Sequence, residues 1–161
     1  MAAALVVDEL EKGGIEFSVV DPGIMDLPAP GLGDSDDSRR IKELVSKATG
    51  VILATPEYHG SVSSVMKRVI ENLGFPSVLA GKPVGLLGVA AGQIGAIKTL
   101  EQLRSICSHI GAIVLPGPVC LDEQTEQRVR GVVTTLIHYI HDAICPKVAL
   151  EQMVREQATA P

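Results

Sequence analysis

The sequence predicts a doubly wound, three-layer α/β domain built on a parallel sheet. Three observations lead there. Short β-branched runs alternate with amphipathic helical patterns in the order α-β-α-β-α-β-α-β-α. The runs at 51–54 (VILA), 83–89 (PVGLLGV) and 112–115 (AIVL) are apolar throughout, the pattern of strands covered on both faces. The length, 161 residues, suits one such domain, so 1–161 is read as a single unit with a tail helix over 146–161.

Each element follows from local chemistry. Residues 3–12 favour a helix, with Leu5, Val6 and Leu10 on one side, and Gly13-Gly14 stops it. Residues 15–20 (IEFSVV) read as a strand. Three Pro and three Gly make 21–37 a surface loop. Ile41, Leu44, Val45 and Ala48 give 38–48 a helical stripe. After the 51–54 strand comes T-P-E-Y-H-G, and Ser61 is a plausible N-cap for a helix carrying Val62, Val65, Met66, Val69, Ile70 and Leu73. Glycines in the 83–89 strand predict close packing against it. A helix over 96–110 buries Ile97, Leu100, Leu103, Cys107 and Ile110, and a long helix over 123–144 carries Val129, Val132, Val133, Leu136, Ile140 and Ile144. Right-handed crossovers then make the strands parallel.

Composition narrows the function. Fourteen Lys+Arg against nineteen Asp+Glu give a net charge of −5 without a basic cluster, which argues against nucleic acid and anionic membrane as main partners. Four aromatics (Phe17, Tyr58, Phe75, Tyr139) are too few for a base-stacking surface. Gly and Pro interrupt every long uncharged run, so no membrane span is expected. The start lacks the pattern of a signal peptide. Three cysteines (Cys107, Cys120, Cys145) with no C-x-x-C fit reduced thiols in a cytoplasmic protein.

In doubly wound sheets ligands bind at the carboxyl ends of the strands. That directs attention to the loops at 55–60, 90–95 and 116–121. The first combines a fixed φ at Pro56, a permissive Gly60 and the polar Glu57, Tyr58 and His59. Outward-pointing backbone N–H groups there suit acceptors on a planar ligand. The alternative is a tight solvated turn.

The run TPEYHGSVSSVMKRVIENL resembles the T-P-E-Y-[NH]-G-S…LKN-x-I-D-x-[LW] stretch of the NAD(P)H-dependent FMN reductases, which include quinone, chromate and azo-dye reductases. The run GVAAGQIGAIKTLEQLRSICSHIGAIVLP is similar to the same family's glycine loop and following helix. The resemblance covers residue 3 to about 121. It implies a flavodoxin-like fold with strand order 2-1-3-4-5, FMN as cofactor, NAD(P)H as donor, and a quinone or similar small acceptor. It further implies that Pro56, Glu57, Tyr58, His59 and Gly60 line the isoalloxazine, with His59 where many relatives carry Asn. Ala90, Ala91, Gly92 and Gln93 would close its other side. No side chain is expected to act as acid or base, since hydride chemistry belongs to the cofactor; Glu57 is expected to position or support. Relatives are homo-oligomers, dimers or tetramers, and the apolar residues beyond narrow stripes on three helices agree.

One departure is plain. In relatives a strand and a phosphate-holding G-S-x-R loop, roughly 10–15 residues by ordinary lengths, precede the helix in which residue 1 here falls. The expected first strand, which would lie between 15–20 and 51–54, has no counterpart in this sequence. A late start codon, a shortened chain and a variant that has lost flavin all remain open. The functional alternative is accordingly a flavodoxin-like binding or scaffold protein without cofactor; a pure electron carrier is weaker, for want of aromatics to stack on a flavin.

Other candidates read as structural. His138 and His141 share metal-compatible spacing but lack a completing motif, so no metal is expected. Cys107 sits on an apolar helix face and His109 near a helix end; Cys120, beside Gly117-Pro118, could lie near a substrate mouth, and a catalytic thiol there would need a lowered pKa. G-x-S-x-G is absent, which removes a nucleophile elbow at Ser61.

Overall fold

The computed structural model describes residues 2–90, 95–117, 119–120 and 125–159. Strand β1 (Val51–Tyr58) and strand β3 (Pro83–Val89) form the centre of the sheet and pair in parallel from Val51↔Val84 to Pro56↔Val89. Between them the chain makes β2 (Ser61–Val62) and helix α3 (Ser64–Glu71). On the other edge of β3 two short strands succeed one another. β4 (Ile113–Val114) pairs with Pro83 and Val84, and β5 (Val119–Cys120) pairs with Leu87 and Gly88. The fourth strand of the pattern is thus delivered in two pieces, and part of the loop expected at 116–121 is sheet.

Side chains alternate across β1 and β3 and so reach two cores. Val51, Leu53, Val84 and Leu86 face a core shared with Ile41 of α2 (Asp36–Lys47), Met66, Val69 and Ile70 of α3, and Leu100 and Leu103 of α4 (Ile97–His109). Ile52 and Leu87 face Val129 and Val132 of α5 (Thr125–Tyr139), with Leu5 and Val6 of α1 (Ala2–Lys12) packed beside them. The result is the expected three-layer arrangement. The glycines of β3 explain how tightly it closes. A Cβ on Gly85 would lie 2.8 Å from Val132 Cγ1, and one on Gly88 would lie 2.5 Å from Ala96 Cβ. Each glycine lets one helix layer approach the strand.

Residues 15–20, expected as a strand, are not one. They leave Gly14 (φ +64°) without entering a ladder, and Ile15, Phe17 and Val19 are exposed. A strand is completed only by a neighbour, and these residues have no sheet partner among the described residues. Among the described residues, β1 from Val51 to Pro56 is likewise paired only on its β3 side. The expected all-parallel sheet is also corrected, because β2 runs antiparallel to β1 (Glu57↔Val62, Tyr58↔Ser61).

Helix ends are set by named caps. Ser35 and Ser38 form a reciprocal capping box on α2, each hydroxyl 2.9 Å from the other residue's N–H. α1 is tied to α5 by Arg130, whose guanidinium lies 2.5 Å from Asp8, 2.7 Å from Glu9 and 2.9 Å from Glu126. These carboxylates hold the Arg130 pKa above its ordinary value. α5 passes through a π-helical turn, Ile140–Ile144, into α6 (Cys145–Thr159), which carries exposed Val148, Leu150 and Met153.

Candidate cofactor site

The site begins where β1 outruns its pairing with β3. Pro56 is the last residue in that register, opposite Val89. Glu57 and Tyr58 pair instead with Val62 and Ser61, and the chain reverses over His59 and Gly60. Both turn residues have positive φ, +52° and +70°. A two-residue hairpin loop with both φ values positive is the type I′ geometry, whose twist matches that of the flanking strands. Gly adopts it freely. His is among the few side-chain-bearing residues that visit this region, and Asn visits it more readily. The stretch 56–60 therefore ends in a type I′ hairpin tip. Neither His59 nor Gly60 spends its N–H on another described backbone group. Tyr58 is 63% exposed beside them.

The hairpin corrects the cap expected at Ser61. Ser63 caps α3, its Oγ accepting from Met66 N–H at 3.2 Å. The Ser63 hydroxyl also lies 3.0 Å from Thr55 Oγ1, and both residues are buried. Ser61 sits in β2 and is used sideways.

Its partner is α4. Ala96, the N-cap of α4, has no side-chain acceptor, and the vacant role falls to Glu57. Glu57 Oε2 accepts from Thr99 N–H at 3.1 Å. Thr99 is fully buried and donates its hydroxyl to Ser61 C=O at 2.7 Å. Gln102 Oε1, in the second turn of the helix, accepts from both Ser61 Oγ (2.8 Å) and Val62 N–H (3.2 Å). Four hydrogen bonds fasten the hairpin to α4. Glu57 is engaged as a cap, in keeping with the supporting role expected of it.

Of the second expected wall, Ala90 is half-buried at the end of β3. Ala91, Gly92 and Gln93 lie outside the described residues. Thr99, Gln102 and Ser63 were not singled out by sequence reasoning. Thr99 carried the one usable signal, a polar residue beside the apolar stripe of Leu100 and Leu103.

Among the described residues, the other ionisable groups offer no second centre. Burial pushes the Cys107 thiol up to about 11, which keeps it protonated and inert at neutral pH. His138 and His141 are exposed, and His141 Nδ1 lies 2.7 Å from Asp142 Oδ1. Among the described residues, no three His, Cys, Asp or Glu side chains gather as metal ligands. A groove of about 350 Å³ beside α2, lined by Ser38, Lys42 and Asn72, shares no residue with the hairpin. No described helix is long and apolar enough to cross a membrane.

The site offers backbone donors, an exposed aromatic ring, the exposed His59 imidazole and the Lys98 side chain packed beside Gly60, a surface suited to binding a polar planar group. Comparison with known proteins agrees. The sequence profile of the NADPH-dependent FMN reductases matches residues 1–127.

The chain belongs to that family.

A curated relative, an NADPH azoreductase from Bacillus sp. (strain OY1-2), is 37% identical over 89 residues, covering 55% of this chain and 49% of its own. A 2-hydroxy-1,4-benzoquinone reductase from Burkholderia sp. is 29% identical over 126 residues, covering 74% of this chain and 68% of its own. The chain therefore spans between about half and about two thirds of the length of these two relatives. A solved flavoenzyme NAD(P)H:acceptor oxidoreductase from Paracoccus denitrificans superposes with a TM-score of 0.72 at 22% identity, covering 87% of this chain and 88% of that one. That likeness carries the fold, which is flavodoxin-like as the sequence resemblance implied. The FMN reductase family is likewise the one the motifs at 55–73 and 88–116 implied.

Proposed function

We propose that the chain is an FMN-dependent oxidoreductase that takes electrons from NAD(P)H and delivers them to a quinone or similar small acceptor. The observation that carries the proposal is the type I′ hairpin tip, where the N–H groups of His59 and Gly60 have no partner among the described residues and stand beside an open Tyr58 ring. Those donors fit the acceptor-rich pyrimidine edge of an isoalloxazine. Pro56, Glu57, Tyr58, His59 and Gly60 would form one wall, and Ala90 with Ala91, Gly92 and Gln93 the other. The flavin, when bound, supplies the hydride and electron chemistry; this chain binds and orients it. NAD(P)H gives up a hydride, which carries two electrons and one proton, and a quinone takes up two electrons and two protons, the second proton coming from water.

The same reading includes a homo-oligomer, dimer or tetramer. Tyr58, Val65, Val89 and Ile97 are exposed apolar side chains on the hairpin, α3, the end of β3 and α4. A second copy would cover them and wall the ring from water. The fully buried, protonated Cys107 and the free Cys145 suit the cytoplasm.

The test is reconstitution. Protein mixed with FMN and desalted should stay yellow and oxidise NADPH in the presence of a benzoquinone or an azo dye. Colourless protein with no NADPH oxidation overturns the proposal and favours a binding or scaffold role without cofactor. A monomer by light scattering at micromolar concentration overturns the oligomer.

A further inference from the structure

We propose that Thr99 and Gln102 are positioning residues that set the geometry of the flavin-binding hairpin from outside it; this rests on the placement of FMN at residues 56–60. Neither residue belongs to the hairpin, and both reach it from α4. Their bonds fall on β2, the return strand, immediately after the turn at His59 and Gly60. Gln102 Oε1 takes two donors at once, Ser61 Oγ and Val62 N–H, and Thr99 Oγ1 fixes Ser61 C=O. Two residues of β2 are thus held through a carbonyl, an amide and a hydroxyl.

This matters because β2 has little else. It is two residues long and pairs with β1 only at Glu57 and Tyr58. A two-residue hairpin is marginal by itself. Its tip presents ordered N–H donors only if the return strand is fixed. α4 does that, and because Glu57 caps the same helix through Thr99 N–H, both arms of the hairpin are referenced to one element. Pre-ordered donors spare a ligand the cost of ordering them on binding.

The required chemistry is specific. Gln102 acts through an acceptor oxygen alone, so glutamate can replace it and methionine cannot. Thr99 acts through a hydroxyl, so serine can replace it and valine, of the same shape, cannot. FMN titration by fluorescence quenching on the full chain separates these. Q102M and T99V should weaken FMN binding about five- to tenfold each, the loss of one or two net hydrogen bonds. Q102E and T99S should stay within about twofold of wild type. Amide hydrogen exchange at Ser61 and Val62 of the flavin-free protein should quicken in Q102M and T99V and not in the conservative pair. If Q102M and T99V bind FMN as wild type does, the latch has no positioning role. If all four variants weaken alike, the effect is not the hydrogen bonds and the inference also falls. Wild-type protein that takes up no FMN overturns the placement of the cofactor together with this inference.

Discussion

Glu57, the penultimate residue of β1, accepts a hydrogen bond from the backbone N–H of Thr99 at 3.1 Å and so caps a helix forty residues away. The carboxylate completes α4, whose own N-cap Ala96 has nothing to offer. Replacing Glu57 with alanine should cost about 1 kcal/mol, the usual loss of a cap. That corresponds to roughly 3 °C in a melt for a domain of this size. Glu57→Gln retains an acceptor and should keep both stability and NADPH turnover within about threefold of wild type. Turnover abolished in Glu57→Gln with FMN still bound would assign Glu57 a proton-transfer role instead.

His59 holds a left-handed φ of +52° in the hairpin loop. Asparagine, which adopts that conformation more readily, should leave stability unchanged or raise it by a few tenths of a kcal/mol. His59→Val should lose about 1–2 kcal/mol, because a β-branched side chain is strained there. Urea denaturation of the two variants gives the comparison, and equal midpoints would contradict the turn geometry.

Gly88 lets α4 rest on β3. A methyl group added there meets Ala96 Cβ at 2.5 Å and Leu100 Cγ at 3.0 Å, so Gly88→Ala should destabilise by about 1–3 kcal/mol through overpacking. Glycine 31, with nothing within 4 Å of an added Cβ, provides a contrast of backbone strain without crowding. A Gly88→Ala melt within 1 °C of wild type would contradict this packing.

These residues also show what a sequence can and cannot disclose. The glycines of 83–89 announced close packing because a strand interior gives glycine no other use, and Gly85 and Gly88 each admit a helix. The stripes of α2, α3 and α4 were legible because helical periodicity is local. Residues 15–20 were misread because IEFSVV has strand propensity but a strand is made by its neighbour, which local pattern does not carry. Ser61 was misread as a cap because His-Gly is an uncommon type I′ pair; the turn it makes moved the cap two residues on, to Ser63. The pairing of Ser61 with Gln102 joins residues forty-one apart and left no mark in either segment. The division of the fourth strand into β4 and β5 depends on contacts with β3 that the apolar run at 112–115 does not encode.

Acid should loosen α1 first. Hydrogen bonds from Lys12 and Arg130 hold the Asp8 carboxyl below its ordinary value of 3.8. A lowered folded value means the stabilisation is present in full above that ordinary value and is lost as pH falls through the lowered one. Wild-type protein should therefore lose protection from hydrogen exchange in α1 when taken from pH 6 to pH 3. Arg130→Met, lacking the contacts to Asp8, Glu9 and Glu126, should show weaker protection at pH 6 and a smaller change on acidification. The same acid response in both proteins would show that Arg130 does not tie α1 to α5.

The account rests on the hairpin at 56–60 being where the flavin binds. Backbone amide resonances of uniformly ¹⁵N-labelled protein, followed through a titration with FMN, test that most directly. The largest saturable shifts are expected at Glu57, Tyr58, His59 and Gly60, with smaller ones at Val62 and Thr99, which are joined to the hairpin by hydrogen bonds. Shifts confined to the groove at Ser38, Lys42 and Asn72, or no saturable shift at all, would contradict it.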